Sequence, residues 1–255
     1  MPNRLQTSEL PIKTERPALG AASQPLSFFD HLDELRSRCL KVLALYAACV
    51  IVIFQQIEGL LPLLMKPVGH VVFTSPEEAF VAQLNLALLA GFILASPYIL
   101  YHVWQFVSLG LTKKEKSTIV VYGPLSFVCF ATGVAFAYVV MIPMSLQFLL
   151  NFSSPFFIPM ITVDKYVSFV GTWILACGIV FELPLVLAFL AKIGIATPEF
   201  LRQHRRYAIL GILIISAVIT PPDVMSQILM AAPLIVLYEI GIIVTRFTYR
   251  PSSLF

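Results

Sequence analysis

The sequence predicts an all-α integral membrane protein with six transmembrane helices, from its composition, its uncharged stretches and the placement of its basic residues. Of its 255 residues, 58 % are hydrophobic and only 12 % are Asp, Glu, Lys or Arg, whereas soluble domains carry about 25 % charged residues. So little charge cannot cover a water-facing surface when so much apolar side chain must also be buried. The composition therefore excludes a soluble globular protein, a disordered chain and a disulfide scaffold. The net charge of +3 is too small to imply nucleic-acid binding.

The uncharged stretches define the spans in order along the chain. The first contains VLALYAACVIVIF, and residues 79–112 and 117–163 contain no Asp, Glu, Lys or Arg. The stretch 117–163 is long enough for one span followed by an apolar loop with Pro143, Pro155 and Pro159. A helix needs about 20 residues to cross the hydrocarbon core. The predicted spans are 39–57, 78–104, 118–142, 164–191, 207–221 and 224–245.

The last two spans are short. The stretch from Tyr207 to Pro221 forms a helix of only about 22 Å. Such a pair must thin the bilayer locally or be shielded by other protein.

Basic residues predict the orientation, because cytoplasmic loops of membrane proteins are enriched in Lys and Arg. Fifteen of the 17 fall in the N-terminal region, the second and fourth loops and the C-terminal end, and the alternate loops hold only Lys66 and Lys165. Both termini are therefore expected in the cytoplasm, which requires an even number of spans.

The ends of the chain are polar. Residues 1–27 contain four prolines and are expected to form a disordered cytoplasmic tail rather than a cleavable signal. The membrane domain is predicted over 28–248 and a short cytoplasmic tail over 249–255. The four cysteines form no C-x-x-C pair and the four histidines fall in different segments, so neither a metal nor a cofactor is expected.

Two carboxylates are expected on the cytoplasmic face. Glu34 lies in HLDELRSR before the first span, and Glu115 lies in LTKKEK in the next cytoplasmic loop. One interpretation is ordinary solvated surface charge. The other is a paired acidic site for guanidinium groups, since Arg forms a planar bidentate pair with a carboxylate that Lys cannot copy.

Glu182 lies inside the fourth span, about 15 Å from its cytoplasmic end. A carboxylate there is costly and is expected to be protonated or hydrogen-bonded. Pro184 removes a helix hydrogen bond and kinks the segment. Glu182 is therefore either a structural residue satisfied within the kink, a polar contact for another membrane segment, or a proton-linked site.

Other polar residues have local interpretations. Glu239 in the sixth span is expected to pair with a cytoplasmic arginine or a neighbouring helix. In TPPD, Asp223 is expected to cap the last helix, with Thr220 and Gln227 flanking this outer turn as hydrogen-bonding groups.

The predicted outer loops also contain sequence patterns typical of particular local structures. In FTSPEEAF a helix start is predicted, with Ser75 as cap, Pro76 at the first position, and Glu77 and Glu78 in the first turn. The later FSSPFFIPM stretch is apolar and aromatic and is expected to rest on the membrane surface.

Taken together, these segments resemble the TatC family, the large polytopic subunit of the twin-arginine protein translocase. The resemblance spans about Phe28 to Phe247. Its motifs occur in order: HLDELRSR, KP, FTSPEEAF, GFILASPYILYHVWQF, GL-x-x-x-E, FELP, TPPDVMSQ and PLIVLYEIGI. Two departures are a short first outer loop after Pro67, and Leu109 where the family often has a proline before Gly-Leu.

The resemblance implies a concave, groove-bearing bundle in the bacterial inner membrane rather than in an organelle. It also implies a receptor for the twin-arginine signal peptides of folded cargo, assembled with TatA and TatB single-span partners and with other copies of itself. Transport would be driven by the proton-motive force, and no enzymatic activity, cofactor or metal is implied. The alternatives weighed from the residues are a proton-coupled secondary transporter using Glu182 and a membrane-embedded enzyme, for which no converging catalytic set is visible.

The family pattern also implies roles for individual residues. Signal-peptide binding is expected at Glu34 and Glu115, with Arg36 and Phe106 nearby. Contacts in the intramembrane groove and with the partner helix are expected at Glu182, Thr220 and Gln227. The residues that match the family's outer-loop positions are Pro67, Pro76, Glu78, Phe80 and Asp223.

Overall fold

The structure is a computed structural model that describes residues 28–108, 113–151, 159–220 and 223–249, and their side chains apart from 28–31 and 113–119. Over these ranges the chain is helical, apart from turns and one isolated bridge. The helices are α1 (Phe28–Gln55), α2 (Ile57–Met65), α3 (Pro76–Val107), α4 (Lys113–Phe136), α5 (Ile142–Leu150), α6 (Val163–Val180), α7 (Leu183–Lys192), α8 (Pro198–Gln203), α9 (Arg205–Ile219) and α10 (Val224–Thr248). The predicted tail over 1–27, most of the FSSPFFIPM loop and residues 250–255 lie outside the described residues.

The predicted all-α membrane class is confirmed. Five stretches of the described residues are long and apolar enough to cross a membrane: Leu32–Gln55, Pro76–Val107, Val120–Leu150, Val163–Lys192 and Val224–Thr248. The remaining predicted span corresponds to α9, whose 15 residues make a helix of about 22 Å. The expectation of an unusually short fifth span is therefore correct, whereas α10 has 25 residues and is not short.

The third span is longer than predicted. Helix α4 continues through a π-helical turn, Ala137–Met141, into α5, so the chain stays helical to Leu150. The expectation that Pro143 belongs to a loop is wrong, because Pro143 lies in the first turn of α5. A proline lacks the N–H that an α-helix needs, and the wider π-turn just before Pro143 accommodates this loss within one continuous helical segment.

The fourth span is interrupted, as the sequence predicts. Helix α6 ends at Val180 and α7 begins at Leu183, with Pro184 in its first turn. The Phe181 N–H still donates to the Cys177 carbonyl at 3.0 Å. The break therefore turns the chain at Phe181 and Glu182 and places the Glu182 side chain inside the membrane-spanning segment.

Small residues permit close helix packing at two interfaces. Helix α1 packs against α3, and a Cβ added at Gly91 would lie 2.7 Å from Val50 Cγ2. Helix α4 packs against α6, and a Cβ at Gly133 would lie 2.5 Å from the Cys177 carbonyl oxygen. Most of the remaining surface of α1 is exposed, including Leu40, Leu43 and Ile51, which suits a helix that faces lipid.

Hydrogen bonds secure the connections at the end of the bundle that the sequence predicts to be the outer one. The Tyr166 hydroxyl is buried and donates to the Leu64 carbonyl of α2 at 2.7 Å. The loop before α3 also pairs with the loop before α6, because the Val72 N–H donates to the Ile161 carbonyl at 3.0 Å and the Val163 N–H donates back to Val72 at 2.9 Å. The loop before α3 and the loop before α6 therefore form one framework around the start of α3.

Candidate functional site

The first part of the site lies where the N-terminal part of α1 meets the C-terminal part of α3. Glu34 and Arg38 are one helical turn apart, and Arg38 Nε donates to Glu34 Oε1 at 3.1 Å while Nη2 contacts the same oxygen. Arg38 Nη1 donates to Gln105 Oε1 at 2.5 Å and lies 3.4 Å from His102 Nδ1. One guanidinium thus joins a carboxylate of α1 to two polar side chains of α3, and we call these four residues the Arg38 cluster.

The other expected signal-peptide residues are placed differently from Glu34. Arg36 is exposed, because a residue two positions from Glu34 lies about 200° around the helix. Arg38, which sequence reasoning missed, is the arginine that faces Glu34. Phe106 lies on α3 next to Gln105, and the side chain of Glu115, near the start of α4, lies outside the described residues.

An aromatic group supports the same end of the bundle. Trp104 of α3, Tyr122 of α4 and Phe189 of α7 are buried together, with ring centroids between 5.0 and 5.9 Å apart. The Lys192 ammonium lies 5.9 Å from the centre of the Tyr122 ring. This packing fixes the part of α3 that presents Gln105 and Phe106.

The second part of the site is Glu182, at the break between α6 and α7. Its Oε2 accepts a hydrogen bond of 2.5 Å from the hydroxyl of Ser126, a fully buried residue of α4. Its Oε1 is enclosed and has no hydrogen-bond partner among the described residues. A half-buried carboxyl with one enclosed, unpartnered oxygen retains capacity for a further polar contact, so Glu182 is only partly accounted for by the kink.

The third part of the site is the turn between α9 and α10, which the sequence predicts to be on the outer side. The Thr220 hydroxyl donates to the Ser216 carbonyl at 2.8 Å, and Gln227 Nε2 donates to the Leu213 carbonyl of α9 at 3.2 Å. The predicted cap is confirmed, since Asp223 Oδ1 accepts from the Ser226 N–H at 2.6 Å. The structure therefore brings Thr220, Asp223 and Gln227 to one end of the short helix.

An apolar cavity lies near this turn, between α5 and α10. Its volume is about 260 Å³, and it is lined by side chains that include Ser145 of α5 and Ser226 of α10. Both hydroxyls are buried without a hydrogen-bond partner among the described residues. The sequence contains no signal for this cavity, because it depends on α5 extending the third span past Pro143.

The outer-loop residues frame the start of α3. Glu78 Oε2 accepts from both the N–H and the hydroxyl of Thr74 at 2.7 Å, and Oε1 lies 3.5 Å from the Asp164 N–H. Ser75 occupies the cap position as predicted, but its side chain makes no capping bond. The Glu78 carboxylate instead reaches back to Thr74, the residue before Ser75, and ties the loop to the first turn of α3.

The other residues predicted to lie in or near the outer loops are Pro67, Pro76 and Phe80. Pro76 lies in the first turn of α3, as predicted. Pro67 lies in the turn after α2, just before Gly69, whose φ of +82° favours glycine. Phe80 is exposed and packs edge-on against Phe54 of α1, with ring centroids 6.3 Å apart.

Glu239 pairs with a basic residue, as the sequence suggests. Its Oε2 accepts from Arg205 Nη2 at 2.6 Å, which joins α10 to the start of α9. Both side chains are more than a third exposed, so this pair contributes about 0–1 kcal/mol.

The site residues therefore form separate groups in place of a single centre. In the part of the chain that the structure describes, no three His, Cys, Asp or Glu side chains lie together as metal ligands would. The arrangement offers carboxylate and amide contacts for cationic and polar groups.

Comparison with known proteins identifies a family for this architecture. The family model described as Sec-independent protein translocase protein (TatC) matches residues 30–233. A TatC protein of Carboxydothermus hydrogenoformans is 39 % identical over 230 residues, covering 88 % of this chain and 94 % of the relative. A TatC protein of Desulforapulum autotrophicum is 41 % identical over 226 residues, covering 86 % and 84 %.

Comparison with solved structures indicates the same family. A crystal structure described as the twin arginine translocase receptor TatC in DDM aligns with a TM-score of 0.76 and 36 % identity. The alignment covers 84 % of this chain and 98 % of the crystallised chain.

Proposed function

Because this chain belongs to the TatC family of Sec-independent protein translocase proteins, we propose that it is the core receptor subunit of a twin-arginine translocase. It is a membrane protein and a component of the protein translocase, and the names of its relatives indicate no catalytic activity. It binds the twin-arginine signal peptides of folded cargo at the cytoplasmic face. It lies in a bacterial inner membrane with both termini in the cytoplasm.

The observation that carries this proposal is the contact between Glu34 and Arg38. The Glu34 carboxylate accepts two guanidinium donors on one oxygen, which is the chemistry that an arginine of a signal peptide needs. Glu115, near the start of α4, supplies the second carboxylate of the pair. Phe106 offers an apolar contact on the neighbouring helix, and exposed Arg36 lies at the edge of the same end of α1.

Glu182 and the outer turn are proposed as contacts for single-span partners of the TatA and TatB type. Glu182 is half-buried, and a rotation of its side chain would present the unpartnered Oε1 to a polar side chain of an entering helix. Thr220 and Gln227 lie at the outer end of the short helix α9, where a partner helix would meet a locally thinned bilayer. Further copies of this chain complete the receptor complex, and the proton-motive force drives transport.

The outer-loop residues are proposed to hold the outer surface in shape. Glu78 joins the loop before α3 to the first turn of α6, and Asp223 caps α10. Pro67 and Pro76 bound the loop between α2 and α3, and Phe80 links the start of α3 to α1 through Phe54. These residues support the partner contacts and do not contact the signal peptide.

The experiment is a binding measurement on the purified full chain in nanodiscs. A twin-arginine signal peptide is compared with its twin-lysine version on wild-type, Glu34→Ala and Glu115→Ala proteins. Glu58→Ala is the matched control, because Glu58 is an exposed glutamate beyond the opposite end of α1. Preference for arginine that is lost in both site variants and kept in Glu58→Ala supports the proposal. Equal binding of the two peptides by wild-type protein refutes it.

A further inference from the structure

The Arg38 cluster places an arginine of the protein on the carboxylate that is proposed to receive an arginine of the cargo. Arg38 directs Nε and Nη2 to the same oxygen, Oε1 of Glu34. An incoming guanidinium seeks the same kind of contact. A guanidinium that pairs bidentately with a carboxylate uses both of its oxygens, so an incoming arginine competes with Arg38 for Oε1 of Glu34.

The Arg38 side chain is also bound to α3. The exposed fraction of the side chain is 13 % for Arg38 and 32 % for Glu34, so the carboxylate is the more accessible partner. Gln105 Oε1 accepts from Arg38 Nη1 at 2.5 Å. If Glu34 released Arg38, the guanidinium would keep this bond and would not be left without an acceptor, which makes the contact exchangeable.

We propose that Arg38 is a resident competitor that sets the affinity threshold for signal peptides at Glu34. This inference rests on the proposed function, in which Glu34 receives an arginine of the signal peptide. A peptide binds only by exchanging its own guanidinium for that of Arg38, while Arg38 stays attached to α3 through Gln105. A ligand that makes weaker contacts with Glu34 is therefore excluded at working concentrations.

The thermodynamics of exchange give a specific signature. If only a fraction of the protein has a released Glu34, the apparent dissociation constant equals the intrinsic constant divided by that fraction. The same factor multiplies the constants of every peptide that uses Glu34. Arg38 therefore shifts the affinities for twin-arginine and twin-lysine peptides together and leaves their ratio unchanged.

The test measures both peptides on Arg38→Gln and Arg38→Lys in nanodiscs. Arg38→Gln is expected to tighten binding of both peptides by roughly three- to tenfold, about 0.7 to 1.4 kcal/mol, with the ratio unchanged. Arg38→Lys is expected to tighten binding of both peptides by a smaller factor, because lysine retains the positive charge but lacks the planar set of guanidinium donors. Lys41→Gln removes an exposed positive charge one turn away and calibrates the purely electrostatic gain, expected at less than about twofold.

A double-mutant cycle ties the effect to the carboxylate. In a Glu34→Ala background, Arg38→Gln is expected to give no more tightening than Lys41→Gln gives there, because no carboxylate remains to be released. Weaker binding by both Arg38 variants would overturn the proposal and make Arg38 a positioning residue. Tightening that persists without Glu34 and exceeds that of Lys41→Gln would overturn it as well.

The outcome for the proposed function is read separately, from the wild-type protein. Wild-type preference for arginine, together with unchanged affinities in both Arg38 variants, refutes only the competitor. Absence of wild-type preference refutes the proposed function and this inference with it.

Discussion

The hydroxyl of Ser126 donates a hydrogen bond of 2.5 Å to Glu182 across the interface between α4 and the break in the fourth span. Ser126 is 1 % exposed, so this bond is shielded from solvent. It satisfies one carboxyl oxygen and leaves the other without a partner among the described residues. Ser126 therefore holds the Glu182 carboxyl by one oxygen within an apolar segment.

Loss of the Glu182 carboxyl is expected to impair partner assembly and spare signal-peptide binding. Glu182→Ala should lower the cross-linking yield to a single-span partner severalfold, because the polar acceptor is gone. The measurement is site-specific cross-linking in membranes, run beside peptide binding to the purified protein. Unchanged cross-linking and export in Glu182→Ala would show that the groove assignment is wrong.

Loss of the Ser126 hydroxyl is expected to destabilise the protein. Ser126→Ala removes the hydrogen-bond donor of the half-buried Glu182 carboxyl, which costs about 1–3 kcal/mol, and should lower the midpoint of thermal unfolding in detergent. Ser96→Ala is the control, because the equally buried Ser96 hydroxyl bonds only to the Ile93 carbonyl of its own helix. Equal shifts for both variants would contradict a specific role for the Ser126 bond.

The close approach of α4 and α6 predicts a steep cost for enlarging Gly133. A Cβ at this position would lie 2.5 Å from the Cys177 carbonyl oxygen, so Gly133→Ala should separate the helices at a cost of about 1–3 kcal/mol. Gly211→Ala is the matched control, since no other atom lies within 4 Å of a Cβ built there. Thermal unfolding should fall for Gly133→Ala and stay level or rise for Gly211→Ala.

The cap of α10 predicts different effects for two replacements of Asp223. Asp223→Ala loses the acceptor for the Ser226 N–H and should destabilise the protein by about 1 kcal/mol. Asp223→Asn keeps an acceptor oxygen and should remain close to wild type. Denaturant unfolding of the helical signal measures both, and a loss as large in Asn as in Ala would assign the effect to the charge.

The carboxylate of Glu78 is expected to control the order of the first outer loop. Glu78→Ala removes the acceptor for both Thr74 groups, so a protease added from the outer side should cut the segment between α2 and α3 severalfold faster. Glu77→Ala alters the exposed neighbour and should leave the cutting rate unchanged. Equal acceleration in the two variants would mean that loss of acidity, and not the lost contacts, loosens the loop.

Features of this protein that depend on neighbouring residues were predictable from its sequence, whereas features that depend on the packing of distant helices were not. The Asp223 cap and the break before Pro184 depend on neighbouring residues, so a motif of a few letters reveals them. The spacing of Glu34 and Arg38 in HLDELRSR also indicates a helix pair. The contacts of Arg38 with His102 and Gln105 span 64 and 67 positions and require the packing of α1 on α3.

The third span illustrates the same limit. A proline normally ends a helix, so Pro143 favours a loop when the sequence is taken alone. The π-turn over Ala137–Met141 accommodates the proline and adds two helical turns. The cavity that holds Ser145 exists only because of this extension, so no pattern in the sequence could reveal it.

The packing of α1 has a consequence for biogenesis. Val50 of α1 contacts the position of Gly91 in α3, which is synthesised 41 residues later. At translation rates of about 5–20 residues per second, this interval lasts about 2–8 s. During that time α1 must remain in the bilayer without its docking surface. During co-translational insertion, the face of α1 that later packs on α3 must therefore be covered by lipid or by the insertion machinery until α3 emerges.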